Sequence, residues 1–201
     1  MRSPLDLPVL GALGVTIFFW ASAFAAIRVG LAGFSPGQMA FLRFLVASIV
    51  LAVYALVTRM RLPDRRDLPV FLLAGLLGVA IYHTALNYGE RTVSAGAASL
   101  LIGSSPIVVA LLATTILRER LTLWAWLGIG LSFVGVSLIA LGEGGGLHFS
   151  ADALLILLAS VSQSIFVVMQ KPYLEKYGAL RFTTVTIWAG TLILLPFSPG
   201  L

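Results

Sequence analysis

The chain contains no cysteine, so disulfide bonds, thiol nucleophiles and thiolate metal sites are excluded. It has only two histidines, and we therefore expect no metal site built from protein side chains alone. Charge is scarce too: 10% of the 201 residues are charged, against about 25% in an ordinary soluble domain. A chain with so little charge cannot cover a water-facing surface.

The positive balance does not indicate a nucleic-acid partner. The thirteen lysines and arginines give a formal net charge of +5, but they do not cluster on one amphipathic face or beside aromatic stacking residues. They lie mainly in short gaps between apolar runs. No nucleic-acid binding is predicted.

Long apolar runs dominate the chain, of which 59% is hydrophobic. A helix needs roughly 20 apolar residues to cross a bilayer, and seven runs approach or exceed that length. They are 7–27, 38–57, 68–88, 93–117, 123–141, 151–170 and 182–197. We predict an all-α, polytopic transmembrane helical bundle of about seven helices, with the lipid bilayer as its main solvent.

The first run has a rival interpretation, because Arg2, an apolar stretch and Ala21-Ser22-Ala23 together imitate a secretory signal. The run continues beyond Ala23 and is longer than the apolar part of a usual signal, about 7 to 15 residues. We therefore expect the first helix to be retained.

Basic residues in the short loops predict the orientation of the chain. If the N-terminus lies inside, ten cations fall on the inner side and only Arg91 falls in an outer loop. The inner ones are Arg2, Arg59, Arg61, Arg65, Arg66, Arg118, Arg120, Lys171, Lys176 and Arg181. The asymmetry favours an N-terminus in the cytoplasm and a location in the cell's inner membrane.

Two stretches of the chain share one outline: an apolar helix, a terminal cation, an aromatic residue in a short loop, and another apolar helix. Setting Arg28 over Lys171 without gaps brings Phe34 over Tyr177. Because five helices, an odd number, precede the second copy, that copy must enter the membrane from the opposite side. The pattern predicts an inverted five-helix repeat whose second copy is truncated, an arrangement typical of secondary transporters.

The predicted organisation has three parts: a first five-helix repeat over 1–141, a glycine-rich connecting loop over 142–150, and the start of a second repeat over 151–201. The second copy holds two helices where a complete one would hold five. We expect either the missing helices or a second chain to complete it.

Counting residues along each helix places several polar and aromatic side chains near the bilayer midplane. The predicted substrate-binding residues are Trp20, Ser22, Phe24, Ser105 and Gln163. Trp20, Phe24 and Arg28 form a stripe at one-turn spacing. Pro106 removes a backbone hydrogen bond beside Ser105 and can open the helix there. The alternative is that the serines and aromatics simply pack between helices.

Arg43 lies about two turns inside the second helix, where a cation is costly unless it faces water or a partner. His83 and Asn87, four residues apart on the third helix, fall at a similar depth. Together with Arg28 these residues are predicted to form a gate or polar cluster. Arg43 could meet a substrate carboxylate, hold a structural cluster together, or snorkel outward.

Motifs for catalysis are missing: there is no phosphate loop and no HExxH zinc motif. Gly103-Ser104-Ser105 begins like an intramembrane serine-protease motif, but Pro106 replaces the final glycine. A rhodopsin is disfavoured because the last helix has no lysine for a Schiff base. We predict no enzyme activity, no catalytic residue, no cofactor and no metal.

At these residues the sequence resembles the EamA-type drug/metabolite transporter family, whose members typically have ten helices in two five-helix repeats. The resemblance is carried by WASAF at 20–24, by FSP and FLRF within 34–44, by SSP at 104–106, and above all by ERLTLWAWLGIGLSFVGVSLI at 119–139. It covers the whole first repeat. The chain departs from the pattern by lacking the last three helices.

The resemblance implies a transporter with a central cavity between repeats, often an exporter of amino acids, metabolites or toxic amphiphiles. We expect a secondary transporter that exports such small organic solutes by alternating access. The alternative is a non-transporting membrane subunit, or a truncated remnant, that packs with a partner chain.

Overall fold

The computed structural model describes residues 7–103, 105–115, 121–142 and 151–199. Within these ranges every regular element is helical, and six helices are long and apolar enough to cross a membrane. The all-α, polytopic prediction is confirmed. Most of the predicted glycine-rich loop, together with Ser104 and Glu119, lies outside the described residues.

The first two spans are single helices, α1 over Leu7–Gly30 and α2 over Pro36–Val57. Ser35 and Gln38 form a capping box at the start of α2, and Pro36 occupies the first turn, where its lack of an N–H is harmless. These local signals fix where α2 begins. The predicted start at Gln38 was therefore two residues late.

The third span is continuous but irregular, with a 3-10 turn Arg65–Asp67, helix α3 over Leu68–Gly75, a π-helical segment Leu76–Ile81 and helix α4 over Tyr82–Gly89. The Ser162 hydroxyl on a distant helix donates a hydrogen bond of 2.8 Å to the Leu77 carbonyl within the π-helical segment.

The remaining elements are α5 over Ala95–Gly103, α6 over Ser105–Thr115, α7 over Leu123–Gly142, α8 over Ala151–Tyr177, α9 over Ala179–Leu194 and a 3-10 turn Leu195–Phe197. The sixth span is longer than predicted, since α8 runs through Pro172 to Tyr177. Only Gly178 separates it from α9, and its φ of 77° is a conformation that glycine adopts without strain.

Contacts near the ends of the helices define two ends of the bundle. At the first, named the Asp67 end, Lys176 Nζ lies 2.6 Å from Asp67 Oδ2. At the second, named the Asn87 end, the Asn87 amide donates a 2.9 Å hydrogen bond to the Pro36 carbonyl, and Thr92 donates to the Asp152 carboxylate. It follows that α2 and α8 both begin at the Asn87 end.

Helices α3 and α9 approach each other closely where they cross. A Cβ added to Gly75 would lie 2.5 Å from the Gly190 backbone nitrogen, and one added to Gly190 would lie 2.4 Å from Val79 Cβ. Two glycines thus let the backbones approach closely, as small residues do in membrane helix pairs. Beside this crossing, Phe71 and Phe182 are fully buried and pack together at 5.2 Å between ring centroids.

Candidate functional site

A cavity of about 680 Å³ lies along α1 and reaches α2. Its lining is mostly apolar and aromatic, and Arg43 supplies its cation. The lining residues are Val15, Thr16, Phe19, Trp20, Ala23 and Arg43. The structure therefore brings together two of the residues predicted from sequence, Trp20 for the substrate and Arg43 for the gate.

Arg43 is half-buried on α2, and its Nη1 is buried without a hydrogen-bond partner among the described residues. A guanidinium group inside a membrane span requires water, an anion or a polar partner. The cavity beside it offers space for such a group. Arg43 can therefore receive an anionic group from a solute or from the protein.

His83 packs against Phe44, the residue that follows Arg43 on α2. Its imidazole packs between Phe44 and Tyr82, with ring centroids 4.6 Å away on each side. Its Nδ1 is buried and has no hydrogen-bond partner in the described part of the chain. His83 thus contributes both a packing surface and an unused polar atom.

Asn87 is fully buried one turn further along α4. Its amide nitrogen holds the Pro36 carbonyl at 2.9 Å and so ties α4 to the start of α2, while its Oδ1 has no partner among the described residues. Asn87 therefore has a structural role at the Asn87 end and keeps one acceptor free.

Glu90 directly follows the third span and was not among the predicted site residues. It is 1% exposed, and both carboxylate oxygens lack hydrogen-bond partners within the described ranges. The spacing of His83, Asn87 and Glu90, at i, i+4 and i+7, places them on one helical face and could have revealed the group.

Ser105 makes hydrogen bonds within the helical bundle. Its hydroxyl donates to the Ile102 carbonyl, the group that the missing N–H of Pro106 leaves unpaired, and it lies 2.9 Å from the Ser160 hydroxyl on α8. Ser164 also donates to the Ser105 carbonyl at 3.3 Å. These contacts join α6 to α8.

The other predicted residues lie apart from the lining of the α1 cavity. Ser22 is exposed and donates to the Phe19 carbonyl on its own helix at 3.0 Å. Phe24 packs against the buried cluster around Ile27. Arg28 is exposed at the end of α1. Gln163 is half-buried on α8, with a buried Oε1 that has no partner in the described structure.

Comparison with known proteins adds a family to this geometry. The family model described as the EamA-like transporter family matches residues 8–141. The chain is 48% identical over 185 residues to the uncharacterized transporter YdfC of Bacillus subtilis, covering 92% of this chain and 60% of that protein.

Two further relatives are a probable terminal-alkyne amino-acid exporter of Streptantibioticus cattleyicolor and the uncharacterized inner membrane transporter YedA of Escherichia coli K12. The first is 41% identical over 191 residues, which cover 94% of this chain and 64% of that protein. The second is 30% identical over 197 residues, which cover 97% and 61%. The chain thus spans a little under two thirds of the length of these relatives.

Proposed function

Because the chain belongs to the EamA-like transporter family, we propose that it forms part of a secondary transporter that exports small organic metabolites or amphiphiles by alternating access. The observation that carries the proposal is the opposite direction of two matching helix pairs. The pair α1–α2 begins at the Asp67 end, whereas α8–α9 begins at the Asn87 end.

Matching pairs of opposite direction are the structural basis of alternating access in many transporters, where two similar halves rock around a site near the midplane. The register of the two pairs agrees with this interpretation. Helix α2 begins at Pro36 and α9 at Ala179, which are matched by the same ungapped superposition that sets Arg28 over Lys171.

The α1 cavity supports a solute that is partly apolar and partly anionic. Trp20 offers a large aromatic surface, and Arg43 offers a buried cation that can pair with a carboxylate. The probable terminal-alkyne amino-acid exporter of Streptantibioticus cattleyicolor is named for amino acids, which carry such a group. Amino-acid-like compounds are therefore the solute class we propose, with Ser22, Phe24, Ser105 and Gln163 as further predicted contacts.

The polar residues at the Asn87 end form the proposed gate of this cavity. Asn87 ties α4 to α2, His83 packs beside Phe44, and Arg28 lies at the end of α1. Separation of α2 from α4 would break the Asn87 hydrogen bond. Opening at this end is therefore expected to involve movement of Asn87 relative to Pro36.

The exposure of α1 supports the expectation that further helices complete the second repeat. Phe18, Phe19 and Trp20 point in different directions around the helix and are 69%, 67% and 60% exposed, although the cavity is formed on this helix. Only 6% of the apolar part of this span is buried inside the bundle. We propose that additional helices, from the same polypeptide or from a second chain, close the cavity on that side.

Solute efflux from cells that express the whole open reading frame tests the proposal. Cells are loaded with a panel of amino acids and amino-acid analogues, and we expect at least one to leave faster than from cells carrying an empty vector. Arg43→Gln should lower the rate by about 10- to 100-fold, because a charged hydrogen bond is worth about 1.5–3 kcal/mol. Trp20→Ala should lower it as well.

Matched controls come from the same chain. Trp124 is 82% exposed near the start of α7 and Arg61 is exposed at the Asp67 end, so Trp124→Ala and Arg61→Gln should leave efflux unchanged. Absence of efflux for every compound would contradict the transport proposal. Efflux that both cavity variants leave intact would contradict the proposed site alone.

A further inference from the structure

Glu90 is a buried carboxyl group that the fold does not pair. It follows Gly89, the last residue of the third span, and its backbone N–H bonds the Leu86 carbonyl at 2.9 Å. Its side chain is 1% exposed, with both oxygens lacking partners among the described residues. A charged carboxylate in such a place is costly, whereas a protonated carboxyl group is tolerated far better.

The positive charges near Glu90 favour its charged form, whereas its burial favours the neutral form. Arg28 on α1 and Arg43 on α2 both act to stabilise the carboxylate. On its own helix, the titratable groups are Tyr82, His83 and Tyr88, and the end of α4 carries the negative end of the helix dipole, which favours the neutral form. From α8, Asp152 approaches this region but accepts a hydrogen bond from Thr92. Arg91, next in the chain, is exposed.

Burial is the strongest of these influences, and it raises the pKa of Glu90 to about 7, while Arg28 and Arg43 act to lower it. Small changes in access of water, or in the position of either arginine, would therefore change the charge of this group at neutral pH. Arg43 is also the cation of the α1 cavity, with an unpartnered Nη1. Arg43 thus acts electrostatically on Glu90 and also lines the cavity.

We propose that Glu90 is a proton-binding site at the Asn87 end, and that its carboxylate competes with an anionic solute for Arg43. When the solute occupies Arg43, Glu90 binds one proton through an Oε atom and becomes neutral. When the solute leaves, the O–H bond breaks, the proton passes to water, and the carboxylate is free to pair with the guanidinium. The competition with solute rests on the proposed transport function, but the proton-binding site does not.

Infrared spectroscopy of the purified chain in lipid nanodiscs, recorded as differences between pH 5 and pH 9, tests the proton site without any solute. We expect a carbonyl band of a protonated carboxyl group that titrates with a midpoint near pH 7 and disappears in Glu90→Gln. Glutamine matches the neutral side chain in size, so this variant should fold.

Three further variants sharpen the test. Arg28→Gln and Arg43→Gln should each raise the midpoint, by up to about one pH unit, because each removes a positive charge that acts on Glu90. Glu175 is exposed near the Asp67 end, so Glu175→Gln should leave the band unchanged. If the arginine variants fail to fold, the Glu90→Gln variant alone tests the proton-binding site.

The proposal is overturned if no Glu90-dependent band appears, or if the band titrates near the ordinary glutamate value of 4.5. Efflux measured across pH 6 to 8 distinguishes a failure of the proton-site proposal from a failure of the proposed transport function. A titrating band without efflux of any compound would uphold the proton site and contradict transport. Efflux with no such band would uphold transport and contradict the proton site.

Discussion

Ser48 and Thr191 share a hydrogen bond, with their hydroxyl oxygens 2.7 Å apart and 143 positions between them in the chain. The same spacing separates Arg28 from Lys171, the pair on which the two copies of the repeat superpose. A residue can touch its own counterpart only close to the axis that relates two copies. In the proposed inverted repeat, this contact lies on the pseudo-twofold axis, at the crossing of α2 and α9.

Neighbouring bonds reinforce the crossing. The indole nitrogen of Trp188 donates to the Ser48 carbonyl at 3.1 Å, and Thr191 also donates to the Phe44 carbonyl at 3.1 Å. Near the Asn87 end, the Gln38 amide donates to the Pro199 carbonyl at 3.1 Å. The two helices are thus joined by hydrogen bonds at their crossing and at the Asn87 end, and α2–α9 is expected to serve as the pivot between halves.

A cysteine pair at the axis should form a disulfide bond. Because the chain has no native cysteine, Ser48→Cys with Thr191→Cys introduces the only two thiols. Mild oxidation should close them, since the hydroxyl oxygens they replace are in contact. Crosslinking is measured by protease cleavage between the helices followed by non-reducing electrophoresis.

The matched control combines Val46→Cys with Thr191→Cys, because Val46 is 60% exposed on another face of α2. Only the pair at the axis should crosslink. Equal crosslinking in both, or none in the axis pair, would mean that α2 and α9 do not meet in this register.

The crossing of α3 and α9 should not tolerate a side chain at Gly75. Gly75→Ala would place a Cβ 2.5 Å from the Gly190 backbone nitrogen, and overpacking of this kind costs about 1–3 kcal/mol. We expect a lower midpoint of thermal unfolding in detergent. Gly128→Ala is the control, since a Cβ there meets no atom within 4 Å; an equally small effect of both substitutions would refute the close approach.

Stability should depend on pH through Glu90. Burial raises its pKa to about 7 from the ordinary 4.5, so the folded state binds the proton more tightly than the unfolded state. This contribution to stability is fully present below pH 4.5 and is lost as the pH rises through about 7. Thermal midpoints measured from pH 4.5 to 8 should fall more steeply in the wild type than in Glu90→Gln; parallel curves would contradict the assignment.

Orientation follows from the distribution of charge at the two ends. The Asp67 end carries Arg59, Arg61, Arg65 and Arg66 beside Lys176 and Arg181, and we expect it to face the cytoplasm. A single cysteine at Gly33, in the loop at the Asn87 end, should react with an impermeant maleimide on intact cells. One at Arg61 should react only after permeabilisation, and the reverse pattern would invert the proposed topology.

The sequence was most informative about what depends on hydrophobicity and short-range spacing. Apolar runs predicted the spans, and the stripe of polar residues on the second and third helices predicted a cluster at one end. The length of α8 was underestimated because Lys171 and Pro172 resemble a loop, yet Pro172 is tolerated within the helix.

Features that depend on tertiary packing could not be predicted in the same way. The π-helical segment at Leu76–Ile81 is supported by Ser162 from a distant helix. Glu90 lies between the predicted spans 68–88 and 93–117, and only the packing of several helices buries it. The partner of Ser105 on α8 likewise depends on the fold.

Accessibility of one position in the α1 cavity tests alternating access most directly. Ala23 lines the cavity with Trp20 and Arg43, and Ala23→Cys introduces one reactive thiol there into the protein expressed from its whole open reading frame, in which any cysteine outside residues 1–201 is first replaced by serine. We predict that a small impermeant thiol reagent modifies it in both right-side-out and inside-out vesicles, while Val53→Cys on the exposed face of α2 reacts in neither. Modification of Ala23→Cys from only one side of the membrane would contradict the account.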